Sequence, residues 1–208
     1  MEHNSVMRPL KILEERGIET TVVQCNEYGE IDIDSIKKEI KKETALIVAT
    51  HASNVVGTIT PIEGIGNLAK RYGLTFLVDA SQTAGVYQID MEKMNISMLA
   101  FTGHKSLMGP QGTGGLCIRE GLKLIPLQEG GTGSKSESLY QPDIMPDRYE
   151  SGTHNTPGIA GLCAGISFIK SKGIDIIKSH EQELARYFLD GLREIKCVRV
   201  YGTKEIEK

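Results

Sequence analysis

The sequence predicts an α/β fold with a mostly parallel central sheet, and three observations predict it. Two short, continuously apolar segments, ALIVAT at 45–50 and TFLVD at 75–79, have the composition of strands buried on both faces. Amphipathic segments of helical period separate these from further strand-like runs, and that alternation is the signature of strand–helix–strand units. Glycine is also abundant, 23 of 208 residues or about 11% against a usual ~7%, so the backbone approaches its surroundings closely in several places.

Taken in order, residues 5–16 form a helix capped by Asn4 or Ser5, with Pro9 in the first turn, where its missing N–H is tolerated. Residues 20–25 are a short β-branched run and 34–42 a charged amphipathic helix. The strand at 45–50 is followed by a helix at 62–72 and the strand at 75–79. Residues 97–102 and 115–119 are further strands. From 128 to 149 the chain is rich in Gly, Ser, Pro and Asp and reads as one long irregular segment, a length usually tied to function. Helical pattern returns at 157–172 and 175–194, and a strand starts at 198–201.

Composition excludes several classes of function. A net charge of −3, with 39% hydrophobic and 25% charged residues, is incompatible with a basic nucleic-acid footprint, a polyanionic tail or a disordered chain. No apolar run reaches the ~18 residues of a membrane span. The opening MEHNSVMRPL lacks the charged-then-apolar order of a signal peptide, so a cytoplasmic location is expected. Cys25, Cys117, Cys163 and Cys197 are too dispersed for a zinc site or a disulfide framework and are expected to be buried or semi-buried thiols.

Groups able to do chemistry collect where three strands end. The strand at 45–50 runs into His51, Ala52, Ser53 and Asn54; that at 75–79 ends on Asp79, with Gln82 just beyond; that at 97–102 leads into His104 and Lys105. In open α/β sheets, ligands sit beyond the carboxyl ends of the strands. Lys105 follows Gly103 and precedes a loop with Gly109, Pro110, Gly112, Gly114 and Gly115. A stiff loop of this kind can partly desolvate the amine and make it competent for a Schiff base. Taken singly, Lys105 also fits a solvated surface lysine, Asp79 a helix cap and His51 a structural histidine. Jointly, a strand-end carboxylate and such a lysine are two parts a pyridoxal phosphate enzyme requires, since the acid keeps the pyridine nitrogen protonated. Thr102, His104 and Thr153 are available to a phosphate. Two phosphate-loop alternatives fail. The run Gly130 to Ser136 lacks a Gly immediately before Lys135, and Gly109, Gly112 and Gly114 reverse the dinucleotide spacing.

Five ordered motifs, EHNSVMRPL, THASNVVGTITPI, LVDASQTAG, FTGHKSLMGPQGTGGL and YESGTHNTPGI, span essentially the whole chain. In them the sequence resembles the class V aminotransferase family, in its cysteine desulfurase and selenocysteine lyase branch. The resemblance implies the three-layer α/β/α type I fold of pyridoxal-phosphate enzymes. It implies Lys105 as the Schiff-base lysine, Asp79 at the pyridine nitrogen, Gln82 at the phenolic oxygen and His3 stacked on the ring and moving protons. Asn54 then sits near the phenolic oxygen and the substrate carboxylate, Thr102 and His104 hold the phosphate, and Thr153 reaches the phosphate of the other subunit of a homodimer. L-cysteine is the implied substrate, giving L-alanine and a protein persulfide, with iron–sulfur cluster assembly and a sulfur-acceptor protein downstream. Selenocysteine lysis, transamination and a non-catalytic dimerising remnant are the alternatives. Relatives run to about twice this length, so residues 1–196 are expected to be the large cofactor-binding domain without its N-terminal segment, and 197–208 the start of a small C-terminal domain. That domain carries the family's substrate-carboxylate arginine and its persulfide cysteine, neither of which is expected among these residues.

Overall fold

A computed structural model describes residues 1–203. The first helix, α1 (Asn4–Glu15), starts one residue earlier than expected because His3, and not Asn4 or Ser5, is its cap. The His3 backbone is extended, and its ring nitrogen accepts the Ser5 N–H at 3.1 Å, as an unprotonated imidazole nitrogen can. Pro9 therefore lies inside the helix, not in the first turn, and the N–H it lacks removes one hydrogen bond from the ladder.

Helix α2 (Ile33–Glu39) is capped by Asp32, whose side chain accepts the N–H groups of Asp34 and Ser35. Strands β1 (Leu46–Thr50), β2 (Thr75–Asp79), β3 (Met98–Thr102) and β4 (Gly114–Ile118) make one sheet in the order β1-β2-β3-β4. The first three are mutually parallel and β4 is antiparallel to β3, so the sheet is mixed and mostly parallel. Helix α3 (Ile62–Tyr72) lies between β1 and β2 in sequence and packs its Ile62, Ile65 and Ala69 on Ala49, Phe76 and Val78. Phe76, Val78 and Ile65 are fully buried, each stabilising the fold by roughly 1.5–3 kcal/mol relative to an exposed side chain. Burial along β2 alternates, with Phe76 and Val78 buried and Thr75, Leu77 and Asp79 half-buried. The strands are thus closed on the α3 face and only partly covered on the other, short of the two-sided burial predicted.

Helices α4 (Thr156–Lys172) and α5 (Ile174–Arg193) touch each other, and α4 also packs on the loop that joins β3 to β4. Segment 128–149 is irregular, as expected. Two expected strands do not form. Residues 20–25 are irregular and pair with no strand among the described residues, and a strand without a partner has no ladder. Residues 198–201 leave α5 through a turn, in which the Val198 N–H reaches the Ile195 carbonyl, and pair with no strand among the described residues. The thiols also depart from expectation: Cys117, Cys163 and Cys197 are exposed and only Cys25 is half-buried. Cys117 lies on β4, whose outer side no described strand or helix covers, and Cys163 on an open side of α4.

Candidate active site

Because β1, β2 and β3 are parallel and adjacent, their carboxyl ends lie along one edge of the sheet. That edge brings together the turn carrying Asn54, the turn carrying Asp79 and Gln82, and the turn carrying Thr102, His104 and Lys105. Thr50 stands opposite Asp79 in register, and Asp79 opposite Ala100. The sequence-predicted residues from three separate segments are therefore neighbours in the fold.

Backbone hydrogen bonds weld the turns. The His51 N–H donates to the Asp79 carbonyl at 2.8 Å, and the Ala80 N–H to the Ala100 carbonyl at 2.8 Å. The ring Nδ1 of His51 lies 2.9 Å from the Thr83 hydroxyl, which locks the turn containing Gln82 to the end of β1. His51 is buried, and burial depresses its pKa from 6.5 to about 4, so the imidazole is neutral. It is a structural histidine, with its ring edge against Tyr87.

Asp79 is half-buried, and one carboxylate oxygen accepts the Ser81 N–H at 2.9 Å. Lys105 is exposed, contrary to the partial desolvation expected, and among the described residues its amine is in no ion pair. The loop around it is nonetheless tight. The Gly103 N–H donates to the Thr113 carbonyl at 2.8 Å, the Gly109 N–H to the Gly103 carbonyl at 2.7 Å and the Met108 N–H to the Lys105 carbonyl at 2.8 Å. The loop fixes the lysine backbone without covering its side chain. Gly85 ties it to the turn after β2: its φ is +101°, and a Cβ there would lie 2.5 Å from the Ser106 carbonyl oxygen. The Thr102 hydroxyl and His104 Nδ1 are 2.7 Å apart, forming a hydroxyl–imidazole pair beside Lys105. Asn54 and Gln82 are exposed and half-buried respectively. Thr153 stands exposed before α4, and no hydrogen bond joins it to Thr102 or His104.

Glu2, which precedes the α1 cap His3, reaches the end of β1, and no sequence pattern singled it out. Glu2 Oε1 accepts the Thr50 N–H at 2.8 Å, and Glu2 Oε2 is buried without a hydrogen-bond partner. Burial raises the Glu2 pKa; the Thr50 N–H and the amino-terminal ammonium oppose this, and the nearby Asp79 carboxylate adds to it. A lone glutamate in a polar opening carries no periodic or spacing signal, and only the fold shows where its carboxyl goes. The set fits pyridoxal phosphate chemically: a half-buried carboxylate with one oxygen uncommitted, an uncommitted primary amine, and a hydroxyl–imidazole pair for a phosphate.

A probable cysteine desulfurase of Pyrococcus abyssi is 34% identical over 212 residues, taking in 100% of this chain and 52% of the relative. The apo structure of a cysteine desulfurase from Thermococcus onnurineus NA1 superimposes with a TM-score of 0.87 at 33% identity, covering 100% of this chain and 52% of that one. SspA in complex with cysteine matches with a TM-score of 0.70 at 33% identity, over 80% of this chain and 45% of that one. The chain spans about half the length of these relatives. Cysteine desulfurases have the three-layer type I fold of pyridoxal-phosphate enzymes, the fold class predicted. The class V aminotransferase model matches residues 1–208, and this chain belongs to that family, which is pyridoxal-phosphate-dependent in general.

Proposed function

We propose that residues 1–196 form the cofactor-binding large domain of a pyridoxal-phosphate-dependent cysteine desulfurase, and that 197–208 begin its small domain. The whole enzyme removes sulfur from L-cysteine, leaving L-alanine and a persulfide on a cysteine outside these residues, from which a sulfur-acceptor protein draws. The observation that carries the reading is that Asp79 ends β2 while the Thr102–His104 pair and Lys105 stand at and just past the end of the neighbouring parallel strand β3. The relative captured with cysteine supports that amino acid as the substrate.

When bound, pyridoxal phosphate supplies an electron sink for charge developing at the substrate's α-carbon. Asp79 holds a proton on the ring nitrogen through its free carboxylate oxygen. Lys105 Nζ anchors the cofactor and later carries a proton. Gln82 and Asn54 orient the phenolic oxygen, Thr102 and His104 bind the phosphate, and His3 shuttles a proton at the ring face. In the proposed cytoplasmic homodimer, cover for the exposed Lys105 amine comes from the rest of the assembly, and Thr153 turns to the partner's phosphate.

The test is a visible absorption spectrum after adding pyridoxal phosphate, followed by borohydride reduction and peptide mass analysis. A yellow band and a reduced adduct on Lys105 are expected, and both disappear in Lys105→Ala. A colourless protein with unmodified Lys105 overturns the reading for this chain.

A further inference from the structure

Glu2 stands beside the residues described above and has no part among them. Its Oε1 accepts the N–H of Thr50, the last residue of β1, at 2.8 Å. The next amide, that of His51, donates to Asp79 on β2. Amides one residue apart in a parallel strand point to opposite edges, so the Thr50 N–H faces the side of β1 away from β2. Glu2 satisfies this edge donor. Its other oxygen is, among the described residues, the one buried side-chain polar atom with no hydrogen-bond partner. An ionised, buried and half-satisfied carboxylate is costly, and burial accordingly favours the protonated acid.

The following residue grips the other element. The His3 ring accepts the Ser5 N–H at 3.1 Å, and its Nδ1 lies 2.8 Å from the Ser5 hydroxyl, which makes it the cap of α1. Two consecutive side chains thus hold the start of α1, one to the sheet and one to the helix. We infer that Glu2 is the positioning residue for His3, clamping the start of α1 to the carboxyl end of β1, on the sheet edge that also carries Asp79 at the end of β2 and the turn with Lys105 after β3. The inference rests on the reading of His3 as a proton carrier of the cofactor site, and it adds a residue to that site.

Three variants of the full chain test it: Glu2→Ala, Glu2→Gln and Glu2→Asp. Glutamine keeps an acceptor oxygen at the same reach without an ionisable group, whereas aspartate keeps the carboxyl and falls one methylene short. Amide hydrogen exchange of the protein without cofactor reads the clamp directly. In Glu2→Ala and Glu2→Asp, exchange at Thr50 and across residues 1–16 is expected to quicken about tenfold, the effect of losing one hydrogen bond, while Glu2→Gln stays at the wild-type rate. With pyridoxal phosphate added, the absorption maximum of the lysine-bound cofactor is expected to move in the Ala and Asp variants and return in Gln. A merely structural contact would lower Tm without moving that maximum. Unchanged exchange in Glu2→Ala, a Gln variant that behaves like Ala, or a lowered Tm with a wild-type absorption maximum overturns the inference. If the wild-type chain forms no Lys105 adduct, the cofactor reading fails, and the exchange pattern still decides the clamp.

Discussion

At the end of β1 a histidine is kept neutral by burial, and this gives the protein a pH dependence with a definite sign. The folded-state pKa of His51 is depressed from 6.5 to about 4, so between those values the unfolded chain binds a proton that the folded chain does not. Stability therefore rises with pH through that window, and the His51 contribution is complete above the unfolded pKa and lost as pH falls. The shift corresponds to up to about 3 kcal/mol. Glu2, with its pKa raised by burial, works in the opposite direction, so the effect of His51 is read as a difference between the wild type and a His51 variant. His51→Asn, which can still bond the Thr83 hydroxyl, should flatten the fall in urea midpoint between pH 6.5 and 4.5 while costing about 1–3 kcal/mol at pH 7. An unchanged slope would mean that the ring is not buried neutral. Of the residues in the site, Asp79 and Lys105 were legible because each ends a strand-like run in a polar turn. The exposure of Lys105 and the reach of Glu2 were not, because both depend on which segments pack beside them.

Among the elements, α4 accounts for part of the glycine excess. A Cβ on Gly161 would lie 2.7 Å from the Pro110 side chain, and one on Gly165 2.4 Å from the Leu107 carbonyl oxygen. These glycines, four positions apart and hence on one helix face, let the helix backbone approach the loop that carries Lys105. Gly165→Ala is expected to cost about 1–3 kcal/mol by overpacking and, by pushing on Leu107, to weaken cofactor binding at Lys105. Gly191→Ala on α5, where a Cβ meets nothing within 4 Å, should instead stabilise by up to about 1 kcal/mol through helix propensity alone. Thermal melts of the two variants should therefore move in opposite directions, and equal shifts would refute the packing account. The helices and the four paired strands were readable from their periods to within a residue or three. Residues 20–25 were misread because β-branched composition reports a preference for extended backbone, and pairing needs a neighbour that the segment does not find here.

For the whole molecule, the surface bears on assembly. Helix α5 buries none of its residues, and Tyr187 is 82% exposed, a sizeable aromatic area for water to bear. Among the described residues, no helix is long and apolar enough to cross a membrane. Thr153 lies exposed, unconnected to the Thr102–His104 pair of its own chain. If it serves the partner subunit's phosphate in a homodimer, then Thr153→Ala should weaken pyridoxal phosphate binding about tenfold through the loss of one charge-assisted hydrogen bond. Mixing that variant with Lys105→Ala should then regenerate one intact site per mixed dimer, seen as a recovered tight-binding fraction in a spectral titration. A chain whose Thr153 acts within its own subunit, or not at all, would show no recovery.

Local chemistry determined the alternation of strand and helix, the irregular stretch at 128–149 and the carboxylate and amine at strand ends, because period, turn residues and apolar runs act over a few neighbouring positions. The five ordered motifs carried the family. Tertiary structure alone decided that β4 runs antiparallel, that His3 rather than Asn4 or Ser5 caps α1, and that Glu2 meets Thr50 across 48 positions of sequence. Those outcomes turn on which edges and faces find partners at a distance, and a hydrogen-bond donor at a strand edge is satisfied by whatever the fold brings to it.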